Sequence, residues 1–318
     1  MGTADFACPS LEALAARFEV VGVVTQPDRP AGRGQRQLVA PAVKKAALPL
    51  GLPLLQVGRR EKESLAEWAE SRRPDLAVVV AFGHLLTRKF LGIAPLGTIN
   101  LHASLLPQFR GAAPIHRAVM AGVGRTGVTT MYVAEALDAG DIIHQEETPV
   151  DPDENVGAVH DRLAAIGAEL LVITVGDIAT GRAPRRPQNE ALATWAPPLH
   201  TTDQIIRWDA AAGVVHDQVR GLDPWPGALT TFRGKVLKIF RTERLRAARP
   251  ASAGVIIDAN GAEGPAVQCG DGLAVRLLEV QPAGSRRMSG AEFARGHRLT
   301  HRETLGLETH VIMGPNGR

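Results

Sequence analysis

Short apolar segments alternate with amphipathic helical patterns through the first half of the chain, and this alternation constrains the fold more than any other feature. The segments EVVGVVTQ at 19–26 and LAVVVAF at 76–82 are rich in valine. Helical patterns occur over 9–18, 39–48 and 61–72. Strands that alternate with helices form parallel sheets covered by helices on both faces. The pattern therefore predicts an α/β domain with a doubly wound, mostly parallel sheet.

The second half of the chain has a different pattern. Residues 182–202 contain prolines and arginines without an apolar period, which predicts an exposed linker. After a predicted helix at 203–221, short apolar segments follow one another between glycines, and this pattern predicts a small antiparallel barrel. The length of 318 residues fits two domains of about 150 residues each. We expect a first domain at 1–181 and a second at 203–318.

Composition excludes several classes of protein. Hydrophobic residues make up 45% of the chain and charged residues 22%, and no apolar segment approaches the roughly 18 to 20 residues that span a bilayer. The start lacks the features of a secretory signal, so we expect a cytoplasmic location. Cys8 and Cys269 are far apart and lack metal-ligand spacing. We therefore expect neither a disulfide framework nor a bound metal.

The segment INLHASLLPQFRGAAP at 99–114 gives the strongest indication of chemistry. Asn100 and His102 are two residues apart in a predicted strand, so their side chains project from the same face. A buried polar group without a partner costs about 1 to 3 kcal/mol, so this pair indicates a site. The alternative from these residues alone is that Asn100 ends the strand in a turn and His102 is a core histidine.

Positive charge is concentrated in one stretch of the first domain. The window 29–60 contains seven lysines and arginines and no acidic residue. Residues 200–318 add 16 lysines and arginines against 12 aspartates and glutamates. A polyanion can bind such a window, although a solvated face of a helix and a loop has the same composition.

These segments together resemble the folate-dependent formyltransferases. The resemblance rests on INLHASLLPQFRGAAPIHRAVMAG, GVTTMYV and LDAGDII, and is supported by GTADF at 2–6, TQPDRPAGRG at 25–34 and DPWPGA at 223–228. It covers nearly the whole chain. QPDRPAGRG, together with the second domain, is typical of the branch that acts on tRNA. The resemblance implies a Rossmann-like catalytic domain followed by an OB-like, tRNA-binding β-barrel.

The resemblance also implies roles for individual residues. The implied catalytic residues are Asn100, His102 and Asp138. Those implied to hold 10-formyltetrahydrofolate are Ser104, Leu105, Leu106 and Pro107. Those implied to contact initiator tRNA are Arg29, Arg33, Arg36, Lys44 and Lys45. In the family, a basic loop contacts the tRNA, and the matching basic loop here is Arg29–Lys45, in which Arg33 of PAGRG matches the key basic residue. The resemblance implies no metal.

The implied reaction moves the formyl group of 10-formyltetrahydrofolate to the α-amino group of methionyl-initiator-tRNA, for translation initiation. Asn100 can donate its amide to a developing oxyanion, His102 can accept or shuttle the amine proton, and Asp138 can orient the imidazole. Whether His102 acts as a base or as a cationic donor stays open, and Asp141 is a rival to Asp138 in the turn. We expect a monomer that binds tRNA and folate but no membrane.

Two other functions stay open. One is a related formyltransferase for a nucleotide sugar or a purine precursor, although such substrates do not require an acid-free basic window. The other is a tRNA-binding protein without catalysis, because Met1 directly precedes the turn GTADFA. In the family, a short apolar strand leads into this turn, and that strand is central in a doubly wound sheet. We expect the frame upstream of Met1 to encode about seven to ten further, mostly apolar residues.

Overall fold

The computed structural model describes residues 1–31, 37–245, 251–306 and 312. The chain forms two compact units, and each contains segments that are separated in sequence. The first unit comprises Met1–Pro114, Arg125–Thr148 and His160–Pro197. The second unit comprises Ile115–Gly124, Pro149–Val159 and Pro198–Arg318.

The first unit has the alternating strands and helices that the sequence predicts. Its strands are β1 (Val23–Thr25), β2 (Arg29–Ala31), β3 (Gln37–Val39), β4 (Leu54–Gln56), β5 (Ala77–Val80), β6 (Thr98–His102), β7 (Arg110–Gly111), β8 (Arg125–Tyr132), β9 (Ile142–Pro149) and β10 (Trp195–Ala196). The helices in this part of the chain are α1 (Cys8–Ala15), α2 (Ala42–Ala47), α3 (Lys62–Arg72), α4 (Arg88–Leu91), α5 (Pro114–Met120) and α6 (Val156–Ala179).

The main sheet is mostly parallel, as predicted. β1 pairs in parallel with β4, and β5 pairs in parallel with β6. β8 runs antiparallel to β6, and β9 follows β8 in the sheet. Met1 and Gly2 lie between β1 and β5, because the Gly2 amide donates to the carbonyl of Val24 and the Val80 amide donates to the carbonyl of Met1. Gly2 and Val80 form a parallel bridge.

The long helix α6 packs closely against the strand that carries the predicted site. A Cβ added at Gly167 would lie 2.6 Å from Cδ2 of Leu101, so the helix approaches β6 at the distance that glycine permits. Leu163 and Leu171 of the same helix are fully buried. This packing fixes β6 from one face of the sheet. Among the described residues, no helix combines the length and the apolar character that crossing a membrane requires.

An apolar cavity of about 580 Å³ adjoins Met1 and Gly2. Residues from α1, β1, α3 and β5 line it, among them Leu14, Trp68 and Val78. The α-amino group of Met1 donates to the carbonyl of Val78 over 2.6 Å, and burial lowers the pKa of this amine from 8.0 to about 5. The expected residues upstream of Met1 are outside this sequence, and that expectation stays a prediction.

Part of the predicted linker packs within the first unit. Trp195 and Ala196 form β10, which pairs in parallel with β7, and Ala196 is fully buried. The Thr194 amide donates to the carbonyl of Pro107. Trp195 itself is 62% exposed. Residues 194–196 therefore lie beside the loop that follows β6, and the domain boundaries drawn from the sequence stay a prediction.

The second unit is built on antiparallel strands, as predicted. Its strands are β11 (Ala228–Phe232), β12 (Lys235–Leu245), β13 (Ile256–Asp258), β14 (Ala266–Gln268), β15 (Ala274–Pro282) and β16 (Met288–Ser289). Its further helices are α7 (Thr201–Gln204), α8 (Ala212–Arg220) and α9 (Gly290–His297). The strand order is β11-β12-β15-β14-β13, and β16 pairs with β15.

The predicted barrel of the second unit is corrected in one respect: among the described residues, the assigned strands do not close it by themselves. In the ranges that the structure describes, the strand order does not return to its start. Irregular segments pair with its edge regions instead: Ile205 bridges Leu229 of β11, and Val255, next to β13, bridges Thr304. Residues 303–306 contact both edge strands, since the Ile256 amide of β13 donates to the carbonyl of Glu303 and the Gly306 amide donates to the carbonyl of Thr231 in β11.

The predicted helix at 203–221 is also corrected, because the structure has α7 and α8 with an irregular segment between them. The Ile206 amide donates to the carbonyl of Leu229, which draws this segment to the sheet. Trp208 is 5% exposed, and its Nε1 donates to Oγ1 of Thr230 over 3.0 Å. Burial of this large side chain and pairing with β11 outweigh the helical period.

Candidate active site

The strand β6 presents Asn100 and His102 from a position that is fixed on both edges. β5 pairs with one edge and β8 with the other. Residues two apart on a strand project from the same face, as predicted for this pair. His102 is 6% exposed, and Asn100 is partly exposed. Within the described parts of the chain, no group hydrogen-bonds the Asn100 side-chain amide, so this amide is available to a ligand.

Both ring nitrogens of His102 face acceptor oxygens. Nε2 lies 2.9 Å from the carbonyl oxygen of Phe109, and a carbonyl can only accept, so Nε2 carries a hydrogen. Nδ1 lies 3.7 Å from Oδ2 of Asp138, which is too long for a hydrogen bond. The imidazolium can donate from both nitrogens. Because Nδ1 lies beyond hydrogen-bond distance of Asp138, the geometry accommodates both an accepting and a donating Nδ1.

Of the two aspartates in the turn LDAGD, the structure brings Asp138 beside His102. Oδ2 of Asp138 also accepts from the amide of Gly111 over 2.9 Å, which orients the carboxylate. Asp141 is engaged elsewhere, since its carboxylate lies 3.9 Å from Nη1 of Arg185. The residues of the turn alone left both aspartates open, and the family resemblance selected Asp138.

The loop Ser104–Pro107 follows β6 directly and is held from β8 and β9. Oγ1 of Thr129 donates to the carbonyl of Ser104 over 2.6 Å and accepts from the amide of Leu106 over 3.1 Å. Nε2 of Gln145 donates to the carbonyl of Leu106 over 2.9 Å. These bonds fix the backbone of the predicted folate loop.

The side chains of this loop differ in exposure. Ser104 and Leu106 are buried, at 0% and 3%, whereas Leu105 and Pro107 are partly exposed. The carbonyls of Leu105 and Pro107 already accept from Gln108 and Thr194. Contact with a flat heteroaromatic ligand would therefore come from the side chains of Leu105 and Pro107 more readily than from the backbone.

The basic loop contains one cation that is already paired. Nζ of Lys44 lies 2.8 Å from Oδ2 of Asp28 and 2.8 Å from Oε1 of Gln56. The hydrogen bonds from Lys44 and Gln56 hold the pKa of Asp28 below its usual value. Lys44 therefore ties the base of the loop to β4, because Gln56 is the last residue of that strand.

The other residues predicted to contact tRNA lie on β2, on α2 or outside the described residues. Arg29 begins β2, which pairs with β3 in a two-stranded ribbon, and its guanidinium donates to Gln26. Lys45 is exposed on α2. Arg33 and Arg36 lie outside the described residues.

Several residues that support the site were missed by the sequence analysis. Thr129 is the Cα partner of His102 in the pairing of β6 with β8, and Gln145 lies on β9. Polar residues in strands that are otherwise apolar were the available signal. Arg110 and Gln188 contact each other near Asp138, and no feature of the Pro- and Arg-rich segment around Gln188 indicated this.

The assembled groups suit acyl transfer to an amine. The Asn100 amide on β6 can donate to a carbonyl oxygen that gains negative charge. A histidine beside a carboxylate can hold a proton or a positive charge. The described residues contain no group of three or more His, Cys, Asp or Glu side chains arranged to hold a metal ion.

Residues 5–175 match the formyl transferase family, and residues 198–298 match the C-terminal domain of formyl transferases. The chain belongs to the formyltransferase family. It is 50% identical over 309 residues to the methionyl-tRNA formyltransferase of Moorella thermoacetica, covering 96% of this chain and 98% of that protein. It is 42% identical over 311 residues to the methionyl-tRNA formyltransferase of Bacillus subtilis, covering 96% of both.

A solved structure shares the fold at low sequence identity. The N-formyltransferase from Helicobacter canadensis was solved in complex with folinic acid and dTDP-3-aminofucose. It matches this chain with a TM-score of 0.64 and 15% identity, over 88% of this chain and 97% of that one. At this identity the likeness supports the fold and does not indicate which amine accepts the formyl group.

Proposed function

We propose that this chain is an enzyme that transfers the formyl group of 10-formyltetrahydrofolate to the α-amino group of methionyl-initiator-tRNA. The observation that carries the proposal is 50% identity, across 96% of the chain, to a methionyl-tRNA formyltransferase. The geometry of Asn100, His102 and Asp138 supports it. The enzyme acts as a monomer in the cytoplasm, with a catalytic domain at 1–181 and a tRNA-binding domain at 203–318.

The reaction assigns a task to each member of the trio. The amine nitrogen bonds to the formyl carbon, the bond from that carbon to N10 of folate breaks, the amine loses a proton and N10 gains one. Asn100 donates its free amide to the formyl oxygen, where negative charge develops. His102 moves the amine proton or, when protonated, donates to that oxygen, and the Asp138 carboxylate orients the ring and stabilises its charged form.

Two surfaces bind the substrates in this proposal. The loop Ser104–Pro107 holds 10-formyltetrahydrofolate, chiefly through the partly exposed side chains of Leu105 and Pro107. The basic loop contacts the tRNA through Arg29, Arg33, Arg36 and Lys45, while Lys44 orders its base through Asp28. Positive side chains supply binding that depends on salt and little on sequence.

The direct test is an acceptor comparison with labelled 10-formyltetrahydrofolate. We expect label on charged initiator methionyl-tRNA and none on an amino-sugar nucleotide or on a purine precursor. Formylation of either small acceptor in place of tRNA would overturn the proposed acceptor. Binding of tRNA without label transfer would instead support the noncatalytic alternative.

A variant of the basic loop separates tRNA binding from folate binding. Arg33→Ala should weaken the use of tRNA and lower the magnitude of the salt slope by about one unit or less, because one phosphate contact is lost. Folate affinity should stay unchanged. Unaltered kinetics on initiator tRNA across a salt series would contradict the role of Arg33.

A further inference from the structure

The carboxylate beside His102 sits on a turn that needs support from outside it. Asp138 has a φ of 51°, in the left-handed region that a residue with a Cβ seldom adopts. Gly140 is enclosed so tightly that an added Cβ would lie 1.8 Å from the carbonyl oxygen of Tyr132. Residues held in such conformations persist when the surrounding structure determines them.

Gln188 forms hydrogen bonds to two residues of this turn through one side-chain amide group. Its Nε2 donates to the carbonyl of Asp138 over 2.8 Å and to the carbonyl of Gly140 over 2.8 Å. The two hydrogens of the amide therefore bind two carbonyls that are separated by a single residue. This clamp fixes the backbone that carries the Asp138 carboxylate.

Arg110 determines which way the Gln188 amide points. Its Nε and Nη2 donate to Oε1 of Gln188 over 3.1 and 2.8 Å. Arg110 is 2% exposed, and its guanidinium also donates twice to Glu190, over 2.8 Å each. Because a guanidinium only donates, the amide oxygen must face Arg110 and the NH₂ group must face the turn.

The same short strand, β7, holds both parts of Asp138. Gly111 donates its amide to the Asp138 carboxylate, and Arg110 orients the amide that binds the Asp138 backbone. We infer that Gln188 is a positioning residue, oriented by Arg110, which keeps the Asp138 carboxylate beside Nδ1 of His102 during formyl transfer. This inference rests on the proposed function. Gln188 does not touch His102 and acts only through Asp138.

The first test removes the two hydrogen bonds from Gln188 to the turn while keeping the size of the side chain. Gln188→Glu can still accept from Arg110 but cannot donate to two carbonyls, and Gln188→Leu loses both sets of bonds. We expect each to lower kcat by about tenfold to a hundredfold, with the KM for methionyl-tRNA within about twofold, because a small displacement of a catalytic group is costly. An unchanged kcat, or a change confined to KM, would overturn the inference.

A matched control adds the same charge one residue away. Asn189 is exposed, and its Oδ1 accepts from the amide of Ala191. Asn189→Asp keeps that acceptor and adds the negative charge that Gln188→Glu adds. We expect the control to keep wild-type kcat. An equal loss in both variants would attribute the effect to charge and reject the clamp.

A double-mutant cycle separates positioning from general damage to the fold. If Gln188 acts through Asp138, Gln188→Glu combined with Asp138→Ala should be no slower than Asp138→Ala alone, within about twofold. The Gln188→Glu enzyme should also shift its pH–rate profile in the same direction as Asp138→Ala. Multiplied losses, or a wild-type profile, would reject the inference. An inactive wild-type protein would reject the proposed function itself, so the two failures are distinguishable.

Discussion

The two halves of the first unit's sheet differ in how tightly they are packed. The site half consists of β6, β8 and β9, where Ile99 and Val128 are fully buried. The cavity half consists of β4, β1, Met1–Gly2 and β5 with α1 and α3, and it borders a partly open, mostly apolar cavity of about 580 Å³. Leu14 and Val78, which line that space, are only partly buried.

The difference shows where precise geometry is concentrated in this unit. In the site half, the buried side chains of Thr129 and His102 have hydrogen-bond partners, and α6 packs closely over β6. A close-packed region transmits small changes in volume, whereas a region beside a cavity can absorb them. Substitutions in the two halves should therefore have different effects on activity and on stability.

The largest expected effect is on activity and is confined to the site half. Asn100→Ala, His102→Ala and Asp138→Ala should each lower the single-turnover rate by at least about a hundredfold, because they remove groups that stabilise the transition state. Affinity for tRNA should stay nearly unchanged.

Two control variants sharpen this prediction. Asp141→Ala, in the same turn as Asp138, and Leu14→Ala, in the cavity half, should both keep the rate within about twofold, because neither side chain lies beside His102. Loss of turnover in Asp141→Ala with normal turnover in Asp138→Ala would reverse the assignment of the aspartate.

The next effect is on stability, measured by urea unfolding. Leu101→Ala should destabilise the first unit by about 2 to 5 kcal/mol, because the side chain is 3% exposed and packs against α6. Leu14→Ala should cost less than half as much, because Leu14 is partly exposed and already borders a cavity. Equal losses would show that the two halves are packed equally well.

The third effect is a pH dependence of the stability of the cavity half, in a polypeptide whose first residue is Met1. The pKa of the Met1 amine is about 5 in the folded state against 8.0 without burial, so folding favours the neutral amine. The contribution of the neutral amine to the free energy of unfolding is then fully present above about pH 8. It is lost as the pH falls from 8 toward 5, and each unit of pKa difference corresponds to about 1.4 kcal/mol. Acetylation of the amine should remove this slope, and an unchanged slope would assign it to other groups.

The smallest effects come from adding one methylene group to each half. Val128→Ile in the site half should destabilise by about 1 to 3 kcal/mol, because a filled core has no room for it. Val78→Ile in the cavity half should stabilise by up to about 0.8 kcal/mol, because the added group fills empty apolar space. Thermal unfolding of both variants measures the difference. A destabilised Val78→Ile protein would mean that the cavity cannot accept the group.

The elements of the first unit could be predicted because their signal is local. The apolar run at 76–82 became β5 at Ala77–Val80, and the helical pattern at 61–72 became α3 at Lys62–Arg72. The second unit was predicted less well. The helical period at 203–221 competed with burial of Trp208 and with pairing to β11, and these contacts come from residues distant in sequence. Local periodicity carries no information about such partners.

The sequence by itself determined the strand that bears Asn100 and His102 on one face, because the alternation of side chains along a strand needs no partner. It also determined the family, because that likeness rests on the order of residues alone. The spacing in the turn left Asp138 and Asp141 open and the resemblance selected Asp138; the tertiary structure decided which of the two carboxylates lies beside His102. It also decided that Gln188 and Arg110, 78 residues apart, hold that turn together. These outcomes depend on distances between segments, which the packing of β7, β8 and residues 188–196 sets and the local pattern of residues does not.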